Sequence, residues 1–238
     1  MGKKKLHKEL LRVIGLIADT AAENSFSAFL VGGFVRDILL GVKNLDLDIV
    51  IEGDGIKTAK AFADKTHSSC VVHKDFGTAA VAMPDSVKVD FATARKEVYK
   101  KPAALPTVEF SALREDLFRR DFTINAMAIA ISKNDFGQVI DFFGGQKDLA
   151  DKKIRILHDA SFIDDPTRIL RAVRFEQRLN FKIEPRTERL LKEALRKNLL
   201  KAAGKWRLNK ELALILKEKL SKKIFKRMEG LGININGF

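Results

Sequence analysis

The sequence predicts an α+β fold in which a strand-rich first part, residues 1–145, precedes a helical second part, residues 146–238. Before residue 145, short apolar runs alternate with turn signals such as Asp75-Phe76-Gly77, which is typical of strands. Beyond it, apolar residues recur at the three- and four-residue spacing of amphipathic helices. A chain of 238 residues can bury a substantial core in one large or two small domains.

Each element follows from its local pattern. Helical spacing of apolar residues predicts a first helix over residues 5–23. The predicted strands are Ser27–Val31, Leu47–Glu52, Cys70–His73, Thr78–Met83, Val87–Phe91 and Val139–Phe142. The predicted helices are Phe34–Leu40, Lys57–Lys65, Thr123–Ile131, Asp164–Leu179, Pro185–Leu195 and Leu208–Leu220. A turn is predicted at Pro84-Asp85-Ser86, and residues 96–112, which lack a period, are predicted to be a long functional loop.

The composition points to a polyanionic partner. Lys and Arg number 44 against 31 Asp and Glu, which gives a net charge of +13 and favours nucleic acid. Basic residues are dense between Arg186 and Arg227, with few aromatic residues among them, so phosphate contact is expected there rather than base stacking. The single cysteine excludes a disulfide framework, and neither a signal peptide nor a membrane span is recognisable, so we expect a cytoplasmic protein.

Two carboxylates mark the predicted reaction centre. Asp46 and Asp48 are two residues apart at the start of an apolar strand, with Asp46 just before its predicted first residue, Leu47, so they point to the same face. Adjacent carboxylates repel each other unless a cation lies between them, and hard oxygen ligands suit Mg²⁺, which also takes substrate phosphates. The pair therefore predicts a magnesium-dependent nucleotidyl-transfer site. Asp90, on another predicted strand, is a candidate third ligand or general base if the two strands are neighbours.

Further polar residues are candidates for binding the nucleotide. Gly32 and Gly33 precede a helix that carries Arg36, an arrangement suited to a triphosphate. Arg95 ends the strand of Asp90 and is a candidate to bind phosphate or to pair with an acidic neighbour. The remaining candidates form two groups, which are Arg120, Asp121 and Asn125 at one predicted helix start, and Asp165, Arg168, Arg171 and Arg174 at another.

The two groups suggest different roles. Arg120 is a candidate to bind the triphosphate. Asp121 could hydrogen-bond to ribose or orient an arginine, and Asn125 could hold a sugar hydroxyl. In the second group, an Asp and an Arg three residues apart offer acceptors and donors that can imitate a base edge.

Four ordered motifs resemble the class II tRNA nucleotidyltransferases and the bacterial poly(A) polymerases that share their head domain. They are Gly-Gly-Phe-Val-Arg-Asp with Asp-Leu-Asp, then Asp-Phe-Ala-Thr-Ala-Arg, then Arg-Arg-Asp-Phe-Thr-Ile-Asn-Ala, then Asp-Asp-Pro-Thr-Arg. The similarity covers roughly residues 26–215. It implies a polymerase-beta-like nucleotidyltransferase head followed by a helical neck. Because the chain stops at Phe238, soon after a segment that resembles the opening of the family's body domain, we expect the body and tail domains to be absent.

The resemblance also assigns roles. It implies that Asp46 and Asp48 bind magnesium and that Gly33, Arg36 and Arg120 contact the nucleotide. It implies that Asp165 and Arg168 read the base edge of ATP or CTP, with Arg171 and Arg174 beside them. Arg207 and Glu211 would brace the nucleotide-reading helix.

Three functions remain open at this stage. The first is template-independent addition of CMP, AMP or both to the 3′ end of tRNA, and the second is poly(A) synthesis, which uses the same motifs. The third, from another class, is a non-catalytic RNA-binding protein that has kept the fold.

Overall fold

The computed structural model describes residues 2–83 and 87–234, with side chains from residue 8 onward, and divides into two compact units. The first unit comprises Met1–Lys96, Val108–Arg119 and Asn125–Phe143. The second comprises Glu97–Thr107, Arg120–Ile124 and Gly144–Phe238. The main division lies near the predicted boundary at residue 145, but two short upstream segments belong to the second unit. The predicted turn Pro84-Asp85-Ser86 lies outside the described residues.

Strands and helices are numbered along the chain. The strands are β1 (Ser27–Val31), β2 (Asp46–Glu52), β3 (Ser69–His73), β4 (Thr78–Ala82), β5 (Lys88–Thr93), β6 (Arg95–Val98), β7 (Thr107–Phe110), β8 (Ala128–Ala130), β9 (Val139–Ile140), β10 (Lys153–Ile154) and β11 (Lys182–Ile183). The helices are α1 (Gly2–Ala22), α2 (Gly32–Leu39), α3 (Gly55–Thr66), α4 (Leu113–Phe118), α5 (Gly145–Ala150), α6 (Ser161–Asp164), α7 (Thr167–Leu179), α8 (Pro185–Arg196), α9 (Leu199–Ala202), α10 (Lys205–Leu216) and α11 (Ser221–Gly230).

The first unit is built on a seven-stranded mixed sheet in the order β3-β4-β5-β2-β1-β8-β9. Strands β2 and β5 are parallel, and the other described pairings in this sheet are antiparallel. Leu47, Ile49 and Phe91 point to one face and are almost fully buried. Phe62 of α3 packs against Phe91 with ring centroids 5.5 Å apart, so α3 covers that face. Because side chains alternate along a strand, Asp48 and Asp90 lie on the opposite face.

The second unit is mainly helical and is centred on α7, which packs against both α10 and α11. Ile169, Leu170 and Val173 of α7 are fully buried. The helix ends at Asn180, which adopts a left-handed conformation with φ of 53°. A short parallel pair, β10 with β11, also belongs to this unit and was not predicted. The α+β fold, with a mixed sheet followed by a helical part, is confirmed.

Two predicted elements were wrong. The predicted loop at residues 96–112 contains β6 and β7, which pair with each other and are linked by Lys96 Nζ to Glu109 Oε2 at 2.8 Å. Strand β6 carries one apolar residue, Val98, and β7 alternates over only four residues, so neither gives the longer apolar alternation by which a strand is recognised. The predicted helix Thr123–Ile131 is instead a short 3₁₀ turn, Thr123–Asn125, followed by β8. Strand β8 lies inside the sheet with all three residues buried, and a short, wholly apolar run does not distinguish strand from helix.

In the part of the chain that the structure describes, no helix is both long enough and apolar enough to cross a membrane.

Candidate active site

An acidic patch occupies the face of the sheet opposite α3, where β2 and β5 run side by side. Asp48 lies directly opposite Asp90 in the parallel register, and Asp46 lies opposite Lys88. These four residues share one face because each pair of neighbours is in register. We call them the acidic face. On the far side of β5, Ala80 is the neighbour of Asp90, so a small side chain leaves room beside the carboxylates.

Lys88 partly neutralises the acidic face. Its Nζ lies 2.6 Å from Asp90 Oδ2, and both side chains are roughly half exposed. The hydrogen bond to Asp90, together with the negative charges of Asp90, Asp46 and Asp48, raises the pKa of Lys88 above its usual value despite partial burial. The lysine is therefore protonated at neutral pH and holds the carboxylate predicted to be a third ligand or general base.

The residues present fit a divalent metal that completes its shell with substrate oxygens. Among the described residues, no three or more His, Cys, Asp and Glu side chains are arranged to hold a metal by themselves. Asp46 and Asp48 nevertheless provide adjacent carboxylates on one face. A cation held by one or two carboxylates together with phosphates and waters is the usual arrangement for Mg²⁺. The site therefore suits an ion that arrives with a nucleotide.

Replacing Lys88 with methionine is expected to tighten Mg²⁺ binding by about two- to fivefold, because it removes a cation that competes for the same partly exposed carboxylates. The measurement is the Mg²⁺ concentration that gives half-maximal nucleotide incorporation, supported by direct Mn²⁺ binding. A matched control is Lys96→Met, which removes an exposed lysine paired with Glu109. Weaker metal binding in Lys88→Met would instead mean that Lys88 serves mainly to position Asp90.

A tight turn connects β1 to α2 and shapes the backbone around Arg36. Gly32 has φ of 70°, a conformation that favours glycine. A Cβ at Gly33 would lie 3.4 Å from Nη2 of Arg36, so the absent side chain leaves room for the guanidinium. Arg36 is only 3% exposed and donates from Nη1 to Asn125 Oδ1 at 2.7 Å. Arg36 and Asn125, predicted from separate motifs, are therefore in contact, although Asn125 ends a 3₁₀ turn rather than lying within a helix.

A chain of hydrogen bonds connects this turn to the acidic face. Arg36 donates from Nε and Nη2 to Asp37 Oδ1, at 2.8 and 2.7 Å. Asp37 Oδ2 accepts from Asn44 Nδ2 at 2.9 Å, and Asn44 Oδ1 accepts from the backbone N–H of Asp46 at 2.9 Å. The arginine predicted to bind phosphate and the first predicted metal ligand thus have a common support. Arg36 and Asp37 are both buried, which makes this support stiff.

Replacing Asn44 with alanine is expected to lower nucleotide incorporation about tenfold, because the start of β2 loses its anchor while Asp46 itself is retained. The free energy of unfolding should fall by only about 1 kcal/mol, the usual net contribution of a hydrogen bond. Steady-state kinetics and urea denaturation measure the two effects. The control is Ser132→Ala, which removes a similar side-chain bond to a backbone N–H in an exposed loop. Equal losses of activity in the two variants would contradict the prediction.

In the second unit, Asp165 precedes α7 and has one carboxylate oxygen held in place. Its Oδ1 accepts from the N–H and the hydroxyl of Thr167, at 3.0 and 2.6 Å, and from Arg207 Nη2 at 2.5 Å. Arg207 also donates from Nη1 to the carbonyl of Ala103 at 3.1 Å. Among the described residues, Oδ2 of Asp165 takes no hydrogen bond. Arg168 is 5% exposed, and its Nη1 donates to Ser161 Oγ at 2.7 Å.

Arg171 and Arg174 belong to an ionic network that joins α7 to α10. Arg171 donates from Nε and Nη2 to Asp121 Oδ2, at 2.9 and 2.6 Å, and from Nη1 to Glu211 Oε1 at 3.0 Å. Arg174 Nη2 lies 3.3 Å from Glu211 Oε2. Burial alone would lower the pKa of Arg171, but Asp121 and Glu211 outweigh it and raise the pKa above its usual value. Asp121 thus orients an arginine, one of its two predicted roles, and nucleotide contact by Arg171 and Arg174 stays a prediction.

The remaining candidates are less well defined. Arg95 donates from Nη1 to the carbonyl of Phe76 at 2.5 Å, in the turn between β3 and β4. Arg120 is half-buried in the second unit. For both, nucleotide binding stays a prediction.

Four residues of the site were not predicted from the sequence, namely Lys88, Asp37, Asn44 and Ser161. Lys88 carried a usable signal, because a residue two before Asp90 on the same strand must share its face. Asp37 and Asn44 carried a weaker signal, since Asp37 adjoins Arg36 and Asn44 lies two residues before Asp46. Ser161 is seven residues from Arg168, and only the short helix α6 brings the two together.

Comparison with known proteins identifies the family. A family model described as the poly A polymerase head domain matches residues 28–155, more than half of the chain. This chain belongs to the poly A polymerase head domain family. The resemblance to class II tRNA nucleotidyltransferases and poly(A) polymerases predicted from the four motifs is confirmed.

Several relatives of this head-domain protein carry names that describe an activity. An A-adding tRNA nucleotidyltransferase from Geobacter sulfurreducens is 48% identical over 94% of this chain, and one from Aquifex aeolicus is 52% identical over 80%. A third, from Halalkalibacterium halodurans, is 42% identical over 95%. The chain spans only 25%, 23% and 53% of the lengths of these three relatives.

Solved structures agree with the family. A CCA-adding enzyme in its apo form II superposes with a TM-score of 0.90 at 46% identity, covering 94% of this chain and 53% of that one. A tRNA nucleotidyltransferase complexed with a primer tRNA and an incoming ATP analog has a TM-score of 0.83 at 46% identity, covering 91% of this chain and 60% of that one. The predicted nucleotidyltransferase head and helical neck are confirmed.

Proposed function

We propose that this chain carries the catalytic part of an A-adding tRNA nucleotidyltransferase. The tRNA 3′-hydroxyl attacks the α-phosphate of ATP, AMP is joined to the RNA, and pyrophosphate leaves. The observation that carries the proposal is the register of β2 and β5, in which Asp46, Asp48 and Asp90 share one face. The motifs alone left CMP and AMP open. AMP is favoured because three A-adding relatives match 80–95% of the chain, whereas a CC-adding enzyme from Deinococcus radiodurans matches 66% at 38% identity.

The proposed cofactor is Mg²⁺, held by Asp46 and Asp48. When bound, it would supply positive charge to the attacking hydroxyl and to the phosphates. Asp90, restrained by Lys88, is the proposed acceptor for the proton of the 3′-hydroxyl. Its position opposite Asp48 supports this role.

The first unit is proposed to bind the sugar and phosphates. Gly32 and Gly33 are proposed to lie beside a phosphate, with the buried Arg36, ion-paired with Asp37, adjoining Gly33. Asn125, bound to Arg36, is proposed to hold a sugar hydroxyl. Arg95 is a further proposed contact to the phosphates in this unit, and Arg120, which belongs to the second unit, stays a candidate for the same role.

The second unit is proposed to recognise the base. Adenine presents an amino group that donates and a ring nitrogen that accepts on its Watson–Crick edge. Asp165 Oδ2 can accept from the amino group, while Oδ1 is held by Thr167 and Arg207. Arg168 can donate to the ring nitrogen. Asp121 and Glu211 would fix Arg171 and Arg174 behind this pair.

One experiment tests the proposal. The protein is incubated with tRNAs that end at the discriminator base, at the first C and at the second C, each with labelled ATP or CTP alone. A-addition predicts one AMP on the tRNA ending in CC and no CMP on any substrate. Incorporation of CMP would point to CC- or CCA-addition and would overturn the choice of ATP.

The same experiment separates the two remaining alternatives. Poly(A) synthesis, favoured by the description of the matching family model, predicts a long ladder of products. A non-catalytic RNA-binding protein predicts binding with steep salt dependence and no incorporation. The adjacent pair Asp46 and Asp48 favours an enzyme, and unchanged behaviour of Asp46→Ala would favour the binding protein. We also place the protein in the cytoplasm as part of this proposal, since its proposed substrates are tRNA and ATP.

A further inference from the structure

Trp206 is the only tryptophan in the chain and it is 74% exposed in the first turn of α10. The same helix buries Leu208 and Ile215 almost completely, so α10 has an apolar face, and Trp206 lies off it. An indole ring carries a large apolar surface, and leaving it in water forgoes the stabilisation that burial would give. The exposed indole therefore presents an aromatic face on which a planar group can stack.

The surroundings of Trp206 are cationic. Lys210, one turn further along, places Nζ 5.4 Å from the centroid of the indole ring. Lys201, Lys205 and Lys217 are exposed on the same stretch. Between residues 197 and 217 the one acidic side chain is Glu211, which is 8% exposed and paired with arginines of α7. This surface therefore offers positive charge and one aromatic ring, and it suits a polyanion that has planar groups.

Trp206 also adjoins the residues proposed to recognise the base. The next residue, Arg207, donates to Asp165 and to the carbonyl of Ala103. Successive residues on a helix are about 100° apart, so the indole points to a different side from the arginine. The ring is thus held at the margin of the base-recognising residues rather than among them.

We propose that Trp206 stacks on a base of the single-stranded 3′ end of the RNA substrate, while Lys210 contacts a neighbouring phosphate. Stacking on aromatic rings beside cationic side chains is the common way in which proteins hold single-stranded RNA. This inference rests on the proposed function and adds to it a contact with the RNA chain. It also revises the expectation that the basic helices bind phosphate without stacking.

The single tryptophan makes the contact directly observable. The fluorescence of the full chain is titrated with a short oligoribonucleotide that ends in two cytidines. Stacking predicts that saturating RNA quenches the emission by about half or more, whereas ATP alone leaves it nearly unchanged. Unchanged emission at saturating RNA, with binding confirmed by a labelled oligonucleotide, would overturn the proposal.

Variants separate stacking from general charge. Trp206→Ala should weaken RNA binding about five- to a hundredfold, the range for loss of one stacked base, and Trp206→Phe should retain most of the affinity. The control is Leu216→Ala, which removes an apolar side chain that is 66% exposed on the same helix and should bind RNA normally. Trp206→Ala should leave the salt dependence of binding unchanged, while Lys210→Ala should reduce its slope by about one. Equal affinity of Trp206→Ala and the unaltered protein would overturn the proposal.

Two further outcomes keep the proposals apart. If the oligonucleotide quenches Trp206 but no nucleotide is added to any tRNA, the stacking contact stands and the proposed enzyme function fails. If the emission instead shifts to the blue as protein concentration rises without RNA, Trp206 lies at a contact between copies of the chain, and the stacking proposal is overturned.

Discussion

Asp48→Asn is expected to lower the rate of AMP incorporation by about a thousandfold or more. The substitution keeps the size of the side chain but removes one of the two charges proposed to hold the metal. Removal of a group that stabilises charge in a phosphoryl-transfer transition state typically costs several kcal/mol, which corresponds to this factor. The measurement is single-turnover incorporation of labelled AMP into a tRNA that ends in CC.

The same substitution should not destabilise the protein. Asp46 and Asp90 lie beside Asp48 on the acidic face, so removal of one charge relieves repulsion that Lys88 offsets only in part. We therefore expect an unchanged or higher melting temperature together with the loss of activity. A structural role for Asp48 predicts the opposite, a lower melting temperature and an activity that recovers in stabilising conditions.

A matched control lies on the same strand. Glu52 is two alternations further along β2, on the same face, and its Oε1 accepts from the backbone N–H of Leu113 at 2.6 Å. Glu52→Gln removes a negative charge but keeps an acceptor for that bond, so its activity should fall by less than about twofold. If Glu52→Gln and Asp48→Asn lose activity to the same extent, the effect is one of overall charge and the metal assignment is wrong.

The sequence was a good guide to the acidic face because strands impose a simple rule. Asp46 and Asp48 had to share a face once the segment was recognised as a strand. The partnership of Asp48 with Asp90 was different, since it depends on which strands become neighbours. The parallel pairing of β2 with β5 brings together residues 42 positions apart, and nothing in the local pattern specifies that pairing.

The sequence was a poorer guide where side chains have several potential partners. The nucleotide contact of Arg171 stays a prediction, but the sequence did not specify that its guanidinium contacts Asp121, fifty positions away, and Glu211, forty positions away. An arginine near a predicted site looks the same in the sequence whether it meets phosphate or carboxylate. The prediction for Asn125 shows the same limit, because the residue ends a 3₁₀ turn rather than lying in a helix, and its contact with Arg36, 89 positions away, was not predicted.

Glu211→Ala is expected to lower the free energy of unfolding by about 3 kcal/mol. Its carboxylate bonds to both Arg171 and Arg174, and Arg174 is almost fully buried. Removing one partner from a buried ionic network leaves its charges poorly compensated, and a full loss of compensation typically costs about 3–5 kcal/mol. The lower end applies because Arg171 retains Asp121 and Arg174 retains Glu218, whose Oε1 lies 3.5 Å from Nη1. Urea denaturation provides the measurement.

Two control variants test whether the lower stability of Glu211→Ala comes from leaving buried charges without a partner. Glu211→Gln keeps an oxygen that can accept from one arginine, so it should lose less than Glu211→Ala. Asp159→Ala breaks the pair with Arg186, in which both side chains are about 60% exposed, and should change stability by less than about 1 kcal/mol. If Asp159→Ala and Glu211→Ala were equally destabilising, the network between α7 and α10 would have no special role.

The loss of Glu211 should also impair nucleotide binding, because α10 carries Arg207, which holds Asp165. We expect KM for ATP to rise more than kcat falls, since Glu211 is proposed to position other groups rather than to contact the substrate. A double-mutant cycle with Arg171→Met tests the link. The double variant should lose less free energy of unfolding than the sum of the two single losses. Each single variant leaves the other residue without this partner, whereas the double variant removes both residues. Additive losses would mean that the two residues stabilise the fold independently.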